Sequence, residues 1–340
     1  MKVAINGFGR IGRTFLRQSL DYPQIEIVAI NDLSDVNNLA YLLKHDSVYR
    51  EFSAEVEVKI VGDKNYLVVN GQNILVIKEK DPINLPWGDL DVDVVVEATG
   101  VFESYDKASA HIQAGAKRVV ITSPVKKDDI KAKTVLLGIN EKDLVLSNIT
   151  SNGSCTTNAL APLAQILSDK IGIKKAILNT VHAYTATQKI VDGIDTKDWR
   201  RGRAGADNIV PSTTGAAISV AQVVKNLENK FDGLAVRVPV ISGSLIDFTF
   251  ISQKQTSVEE INEVFTIASQ SDNWKGIVGI TNEPLVSIDI LGNICPCLVD
   301  LGLTKVVDGD LVKVMAWYDN EWGYTWTLLQ HVIKLEPYLK

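Results

Sequence analysis

The sequence predicts an α/β protein: an N-terminal Rossmann-type, doubly wound domain followed by an α+β domain on a largely antiparallel or mixed sheet. Three observations carry this. Near-continuous Val/Ile runs alternate with amphipathic helical stretches through the first half, the pattern of parallel strands covered on both faces. A glycine turn, Gly7-Phe-Gly9-Arg-Ile-Gly12, joins the first run to the first helical stretch. From about Ser151 the rhythm changes to a helix and then longer strands. With 340 residues the chain has room for two domains and a large core.

Taken in order, Val3–Ile5 and Ile25–Ile30 read as strands around the helical stretch Arg10–Leu20. Asn73–Ile77, Val92–Val96 and Arg118–Ile121 follow, the last two flanking a helix around Tyr105–Ala114. Between them EVEVKIVGDKNYLVVNGQNILVI alternates, with turn signals at Gly62-Asp63 and Asn70-Gly71, and predicts small antiparallel hairpins. In the second half Ala176–Tyr184, Leu234–Val240, Leu245–Ser252, Leu285–Leu291 and Val312–Trp317 read as strands. Ser257-Val-Glu-Glu260 predicts a helix opened by a capping box. Trp322 to Tyr338 has a helical pattern ended by Pro337. The domains are drawn at 1–150 and 151–320.

An apolar fraction of 46% with 22% charged residues is that of an ordinary globular chain, and a net charge of −6 offers no attraction to nucleic acid or an anionic membrane. No apolar run approaches the roughly 18 residues of a membrane span. Glycines and Arg10 interrupt the start, MKVAINGFGR, before it could act as a signal segment. Three cysteines without a CxxC pattern make no disulfide framework, so a reducing cytoplasm is expected.

The glycine turn gains meaning from its strand-to-helix context. Gly7, Gly9 and Gly12 would give a tight turn, close approach to a pyrophosphate and close helix packing, with the N–H groups of Arg10 and Ile11 toward the phosphates. Asp32 closes the second strand twenty positions beyond Gly12, where a carboxylate binds ribose hydroxyls and repels a 2′-phosphate. The cofactor is therefore read as NAD rather than NADP. The plain alternative is a glycine turn in an unrelated α/β protein with a helix-capping Asp.

Cys155 stands in SNGSCTTNALAP. Ser154 is a suitable N-cap for the pattern Leu160, Leu163, Ala164, Leu167, which puts the cysteine in a first turn, where helix dipole and N–H groups favour a thiolate. Pro162 falls inside this helix and is expected to kink it or delay its regular start. Among four histidines, His182 closes the strand in LNTVHAYT and is the candidate base; alone, it reads equally as a half-buried packing histidine. No Cys/His spacing suits zinc, and no metal is expected. Cys295-Pro-Cys297 would put both sulfurs on one face of a strand as packing residues, with oxidation sensitivity as a lesser possibility.

Together NGFGRIGR, SNGSCTTNALAPL, HAYTATQ, STTGAA, LAVRVPV and WYDNEWGY closely resemble the phosphorylating glyceraldehyde-3-phosphate dehydrogenase family, in its order and spacing over essentially the whole chain. The resemblance implies that Cys155 attacks the aldehyde of glyceraldehyde 3-phosphate while His182 takes the thiol proton. The hemithioacetal then gives hydride to NAD, and inorganic phosphate cleaves the thioester to 1,3-bisphosphoglycerate. It implies Thr185 and Arg237 for the substrate phosphate. Ser154, Thr156, Thr214 and Gly215, with Arg201 adjacent, match the attacking phosphate, although STTG by itself reads as a loop or helix cap. Asn320 is implied for the nicotinamide carboxamide and Thr122 for the adenine side; Lys80 stands where many relatives have Arg. The stretch 183–207 resembles the loop lining a neighbouring subunit's cofactor site, implying a homotetramer. Its run Trp199-Arg-Arg-Gly-Arg203 is balanced by Asp192, Asp195, Asp198 and Asp207, which argues against a nucleic-acid patch. The helix at 321–340 is expected to pack back on the first domain.

Ala159 replaces a second cysteine common in relatives, removing an oxidation partner. Ile194 replaces a common proline, which weakens the inference on cofactor preference, and Ile218 a common lysine, without a consequence we can derive. An erythrose-4-phosphate dehydrogenase is the alternative within the class; Ser154, Thr214 and Gly215 favour phosphate attack over its hydrolysis. A cysteine hydrolase using Cys155 and His182, and a non-catalytic NAD-binding protein, are alternatives from other classes. Asp32→Gly is expected to relax the preference for NAD over NADP, read as the ratio of kcat/KM for the two; an unchanged ratio means the carboxylate does not read the ribose.

Overall fold

The computed structural model describes residues 1–125 and 132–339. The chain divides into two compact units, one of Met1–Leu136, Glu141–Gly153 and Thr325–Lys340, the other of Leu137–Asn140 and Ser154–Tyr324.

The first unit is built on a nine-stranded sheet in the order Ala132–Thr134, Ile149–Ser151, Arg118–Ile121, Val94–Glu97, Lys2–Asn6, Glu26–Asn31, Gln72–Ile77, Lys64–Val69 and Val56–Val61. The first seven run parallel, each to its neighbour. Val94, Val95 and Val96 are all fully buried, as expected of a strand covered on both faces. The hairpin segment does not stand apart: Gln72–Ile77 pairs parallel with Glu26–Asn31, and the two preceding strands extend the sheet antiparallel. Asn70 and Gly71, at φ 47° and 80°, form the turn that Asn-Gly favours between twisted strands. The sheet grows outward in both directions from Lys2–Asn6, which makes the carboxyl end of that strand the topological switch point.

A boundary at 150/151 would cut the strand Ile149–Ser151. The first unit instead runs to Gly153, because Asn152 is buried and tied to the last helix, Trp322–Ile333. Its Nδ2 donates to Thr327 Oγ1, and its Oδ1 accepts from His331 Nδ1. Thr150 Oγ1 completes the set at 2.8 Å from His331 Nε2.

The second unit has an eight-stranded mixed sheet whose main path is Val210–Thr213, Phe231–Val238, Ile173–Ala183, Ser244–Ser252, Leu311–Tyr318, Cys297–Asp300 and Val278–Thr281. The pairs Ile173–Ala183 with Phe231–Val238 and Val278–Thr281 with Cys297–Asp300 are parallel; the remainder are antiparallel. Helix Cys155–Lys170 packs on this sheet and on helices Ala216–Val223 and Val258–Gln270.

Four expectations are corrected. The helix from Cys155 runs through Pro162 without interruption; every side chain from Thr156 to Ala164 is buried, and this packing outweighs the roughly 3 kcal/mol an interior proline costs. Leu285–Leu291 is not a strand. Its Ser287–Ile290 forms a 3₁₀ turn, because Asp289 Oδ2 takes the Val286 N–H and offers the backbone a local partner instead of a ladder. Cys295 precedes the strand that starts at Cys297, so the two sulfurs do not alternate along one strand; burial pushes the Cys295 thiol up to about 11 and raises Cys297 well above its ordinary value. Ser257 caps its helix by accepting from Glu260 N, while the Glu260 carboxylate is taken by Lys254 and Thr256 instead of closing the box.

Burial lowers His331 to about 3, and His182 likewise. An unfolded histidine binds its proton near pH 6.5, so below that value the unfolded chain takes up protons that the folded chain refuses. Their stabilisation is complete above about pH 6.5 and is lost progressively as pH falls toward 3, at up to about 1.4 kcal/mol per pH unit for each residue. Denaturant midpoints measured from pH 7.5 to 4.5 are expected to fall, with a shallower slope in His331→Gln; equal slopes would mean that His331 does not resist protonation.

Candidate active site and cofactor cleft

Each unit carries one constellation of polar groups. In the first, three neighbouring parallel strands end on a polar residue, and Asn6 stands in register with both Asn31 and Glu97. Asn31 Nδ2 donates to Asn6 Oδ1, Asn6 Nδ2 donates to Glu97 Oε2, and Thr99 donates its N–H and hydroxyl to Glu97 Oε1. His111 completes the set. The Trp87 indole can only donate, and at 3.0 Å it does so to His111 Nδ1, which leaves the ring proton on Nε2, 3.0 Å from Glu97 Oε2. Of these, Asn6, Asn31 and Thr99 line a cleft of about 860 Å³ together with Gly7, Gly9, Asp32, Leu33, Lys80 and Phe102 among others.

The glycines of the turn divide the work. A Cβ on Gly7, at φ 93°, would lie 2.7 Å from the backbone of Ala98, and one on Gly12 would lie 2.3 Å from the Gly7 oxygen; these two serve the fold. A Cβ on Gly9 would meet nothing within 4 Å, so its missing side chain serves the cleft. Gly9 is also the N-cap of helix Arg10–Ser19 and offers no side-chain acceptor to the first-turn N–H groups. An anionic bridge fits there on charge and space. Arg10 opens the helix, its guanidinium paired with buried Asp46, and Ile11 follows in the same turn. Asp32 lies just past its strand, where Oδ2 accepts from Phe8 N and Oδ1 from Ser34 N. Burial works against its charge, but these N–H groups outweigh it and hold the carboxyl below its ordinary range. Each oxygen keeps a lone pair for a diol. Lys80 is on the rim; Thr122, directly after Arg118–Ile121, is not among the lining residues and gives its N–H to the Glu97 carbonyl.

In the second unit, Cys155 is the first residue of its helix, capped by Ser154 Oγ, which accepts from Thr157 N. His182 lies near the end of Ile173–Ala183, and its Nε2 is 3.4 Å from Cys155 Sγ. Although Cys155 is partly exposed, its sulfur is deep enough that burial pushes the thiol above its ordinary value. Arg237, the Thr156 hydroxyl and the N–H groups of the first turn act the other way without overcoming it. Burial, with Arg237 adding, lowers His182 to about 3. Burial thus works against the charged form of both groups, in opposition to the thiolate that the helix start favours.

Arg237 is opposite His182 in the parallel register, and its Nη1 lies 2.6 Å from His182 Nδ1. Thr156 turns its hydroxyl to Tyr318 Oη at 3.0 Å, and the same hydroxyl lies 4.0 Å from Cys155 Sγ. Arg201 is tethered to Ser212 Oγ and to Asp198, beside Thr214 and Gly215, which precede helix Ala216–Val223. Thr214 Oγ1 accepts from Ala216 N, and Thr185 Oγ1 is 2.9 Å from Thr187 Oγ1. Asn320 is buried, with Oδ1 accepting from Gly243 N and the hydroxyls of Ser242 and Ser244; the Gly243 N–H fixes which end is oxygen and leaves Nδ2 as the group to offer.

Several residues escaped the sequence reading. Tyr318 bonds both Thr156 and Thr180 and sets its ring edge-on to His182 at 5.9 Å; the alternation of Leu311–Tyr318 could have put it on the buried face. Asn6, Asn31 and Glu97 were legible as the single polar residue closing each of three apolar runs. Ser244 and Gly243 left no signal. Among the described residues, no group of His, Cys, Asp or Glu is arranged to hold a metal.

Residues 1–105 match the family model described as glyceraldehyde 3-phosphate dehydrogenase, NAD binding domain, and residues 154–320 its C-terminal domain. The chain is 46% identical over 341 residues to a glyceraldehyde-3-phosphate dehydrogenase of Geobacillus stearothermophilus, covering 100% of this chain and 98% of the relative. It is 46% identical to glyceraldehyde-3-phosphate dehydrogenase 1 of Bacillus subtilis (strain 168) with the same coverage, and 47% identical to the Clostridium pasteurianum protein over 97% of this chain and 96% of the relative. The chain belongs to the glyceraldehyde 3-phosphate dehydrogenase family.

Proposed function

We propose that the chain catalyses the glycolytic oxidation of D-glyceraldehyde 3-phosphate with NAD and inorganic phosphate to 1,3-bisphosphoglycerate, with Cys155 as nucleophile and His182 as base. The observation that carries this reading is the 3.4 Å approach of His182 Nε2 to a sulfur at a helix start. NAD, when bound, supplies the hydride acceptor. Gly9 with the helix start of Arg10 and Ile11, Asp32, Lys80 and Thr122 hold its pyrophosphate, ribose and adenine side. Asn320 offers Nδ2 to the carboxamide oxygen.

Sγ adds to the aldehyde carbon while Nε2 accepts the thiol proton and passes it to the carbonyl oxygen, and the same nitrogen takes that proton back from the hemithioacetal hydroxyl during oxidation. Thr185 and Arg237 hold the substrate phosphate. Ser154, Thr156, Thr214, Gly215 and Arg201 hold inorganic phosphate, whose oxygen attacks the thioester carbon; the C–S bond breaks and the sulfur is reprotonated. A thioester keeps for phosphate the oxidation energy that hydrolysis would dissipate.

The nucleotide role falls to the unit ending at Gly153 with 325–340, and the chemistry to Ser154–Tyr324. A homotetramer is supported by the loop after Ala183. Close backbone approach of Gly202 to Gly193 orders it, yet it leaves Ile190, Ile194 and Trp199 each at least 85% exposed, which asks for a covering subunit. Three free cysteines suit a reducing cytoplasm, and no described helix is long and apolar enough to cross a membrane.

NADH absorbance with glyceraldehyde 3-phosphate is expected to rise only when inorganic phosphate is present; equal rates without phosphate would favour the erythrose-4-phosphate dehydrogenase reading, and no reduction at all a cysteine hydrolase. Cys155→Ser is expected to lose roughly 10⁴-fold or more in kcat with NAD affinity unchanged by calorimetry. Gly9→Ala should fold with wild-type stability but bind NAD at least several-fold more weakly, whereas Gly12→Ala should lose about 1–3 kcal/mol in denaturant unfolding.

A further inference from the structure

The cleft of the first unit is poor in positive charge for a site that takes a pyrophosphate. Among its described lining residues Asp32, Glu79 and Asp81 are acidic, and Lys80 is the one base. Helix Arg10–Ser19, whose start receives the phosphates in the reading above, carries arginines at positions 10, 13 and 17. Each is engaged with the protein. Arg13 Nη1 donates to the Phe8 carbonyl, and Arg17 Nη2 to the carbonyls of Leu43, Lys44 and Arg50.

Arg10 is the one whose engagement matters to the cofactor. Cα–Cβ bonds in a helix tilt toward its N-terminus, so a first-turn side chain leans back over the helix start. A guanidinium there is set to close on an anion held by the free N–H groups. It goes instead to the hairpin of His45–Asp46 and Arg50–Glu51, where Nη1 lies 2.5 Å from Asp46 Oδ2 and the group sits 5.7 Å from the centre of the Tyr49 ring. Arg10 is not among the residues lining the cleft.

Asp46 is built to keep it. The carboxylate is only 2% exposed, with Oδ1 accepting from Val48 N and Tyr49 N and Oδ2 from Arg10. These donors hold the carboxyl below its ordinary range although burial opposes its charge. Withdrawing Arg10 would strip a buried carboxylate oxygen of its cation, which costs more than a guanidinium regains from an anion open to water. The hairpin itself does not hang on this pair. Arg17 bonds the carbonyls of Lys44 and Arg50 and lies over the Phe52 ring, and Phe52 N donates to the Lys44 carbonyl.

Resting on the reading that the start of helix Arg10–Ser19 takes the dinucleotide pyrophosphate, we propose that Asp46 is a positioning residue that holds the Arg10 guanidinium off that pyrophosphate. The dinucleotide is then met at the helix start by backbone N–H groups instead of a fixed cation. Oxidised and reduced cofactor carry the same pyrophosphate, so the restraint lowers the affinity of both and lets the product leave.

The first test is calorimetric titration of the full-length protein with NAD and with adenosine, which carries base and ribose but no phosphate. Asp46→Asn keeps the Oδ1 acceptor for Val48 and Tyr49 and gives up the charge. It is expected to bind NAD about tenfold more tightly at low ionic strength, the scale of one charge-assisted hydrogen bond. The gain should shrink as salt is added, and adenosine affinity should stay as in wild type. NAD affinity unchanged or weakened in the folded variant overturns the proposal, as does an equal gain for adenosine. In the double variant Arg10→Gln, Asp46→Asn the gain should disappear; its persistence would assign it to the lost carboxylate and overturn the role given to Arg10. The second test needs no variant: in a crystal structure of the wild-type protein with NAD, Arg10 Nη1 should still be paired with Asp46. A pyrophosphate at the helix start with Arg10 moved onto it overturns the proposal alone, whereas a pyrophosphate bound elsewhere removes the cofactor reading together with it.

Discussion

The approach of Cys155 Sγ to His182 Nε2 requires a helix start and a strand end to coincide to within a hydrogen bond, and much of the second unit serves that coincidence. The helix is placed by its buried side chains and by Ser154 at its cap. The strand Ile173–Ala183 is held on both sides, parallel to Phe231–Val238 and antiparallel to Ser244–Ser252. Tyr318, from the next strand over, reaches across and bonds one hydroxyl on each element, Thr156 and Thr180. A buried phenol with two partners behaves as a bolt between them.

Ser244 extends the same logic. Its hydroxyl accepts from Ala183 N and donates to Asn320 Oδ1, so the peptide beside the base and the amide proposed for the nicotinamide share one atom. The Ala183 carbonyl in turn lies 2.7 Å from His182 Nδ1 and accepts from Arg237 Nη1. His182, Arg237 and Asn320 are thus linked through hydrogen bonds of a few groups on adjacent strands.

How much of this was legible in the sequence varied with the kind of interaction. Alternation and Val/Ile runs gave the central strands, because burial on one or both faces leaves a periodic signature. Gly7, Gly9 and Gly12 revealed the turn, and the cysteine with its N-cap and the strand-closing histidine revealed the pair. Three features were illegible for stated reasons. Pro162 signals a break that packing overrules. Asp289 diverts an alternating stretch into a turn by a side-chain bond that periodicity does not encode. The depth of Cys155 left no mark, because a first-turn position says nothing of how far burial works against the sulfur's charge. Arg237 was singled out through resemblance as an anion ligand, but its contact with His182 needs the register of two strands distant in sequence.

The floor of the cleft, Asn6, Asn31, Glu97 and Thr99 with His111 and Trp87 beneath, is a closed circuit in which a donor-only indole dictates which ring nitrogen is protonated, and that ring in turn supplies the Glu97 oxygen. Replacing any member strands another without its partner, away from water. Asp32 and Lys80 at the rim belong to no such circuit. Descendants of this fold are therefore free to change which dinucleotide they accept by editing the rim, while the base of the cleft stays frozen beneath them.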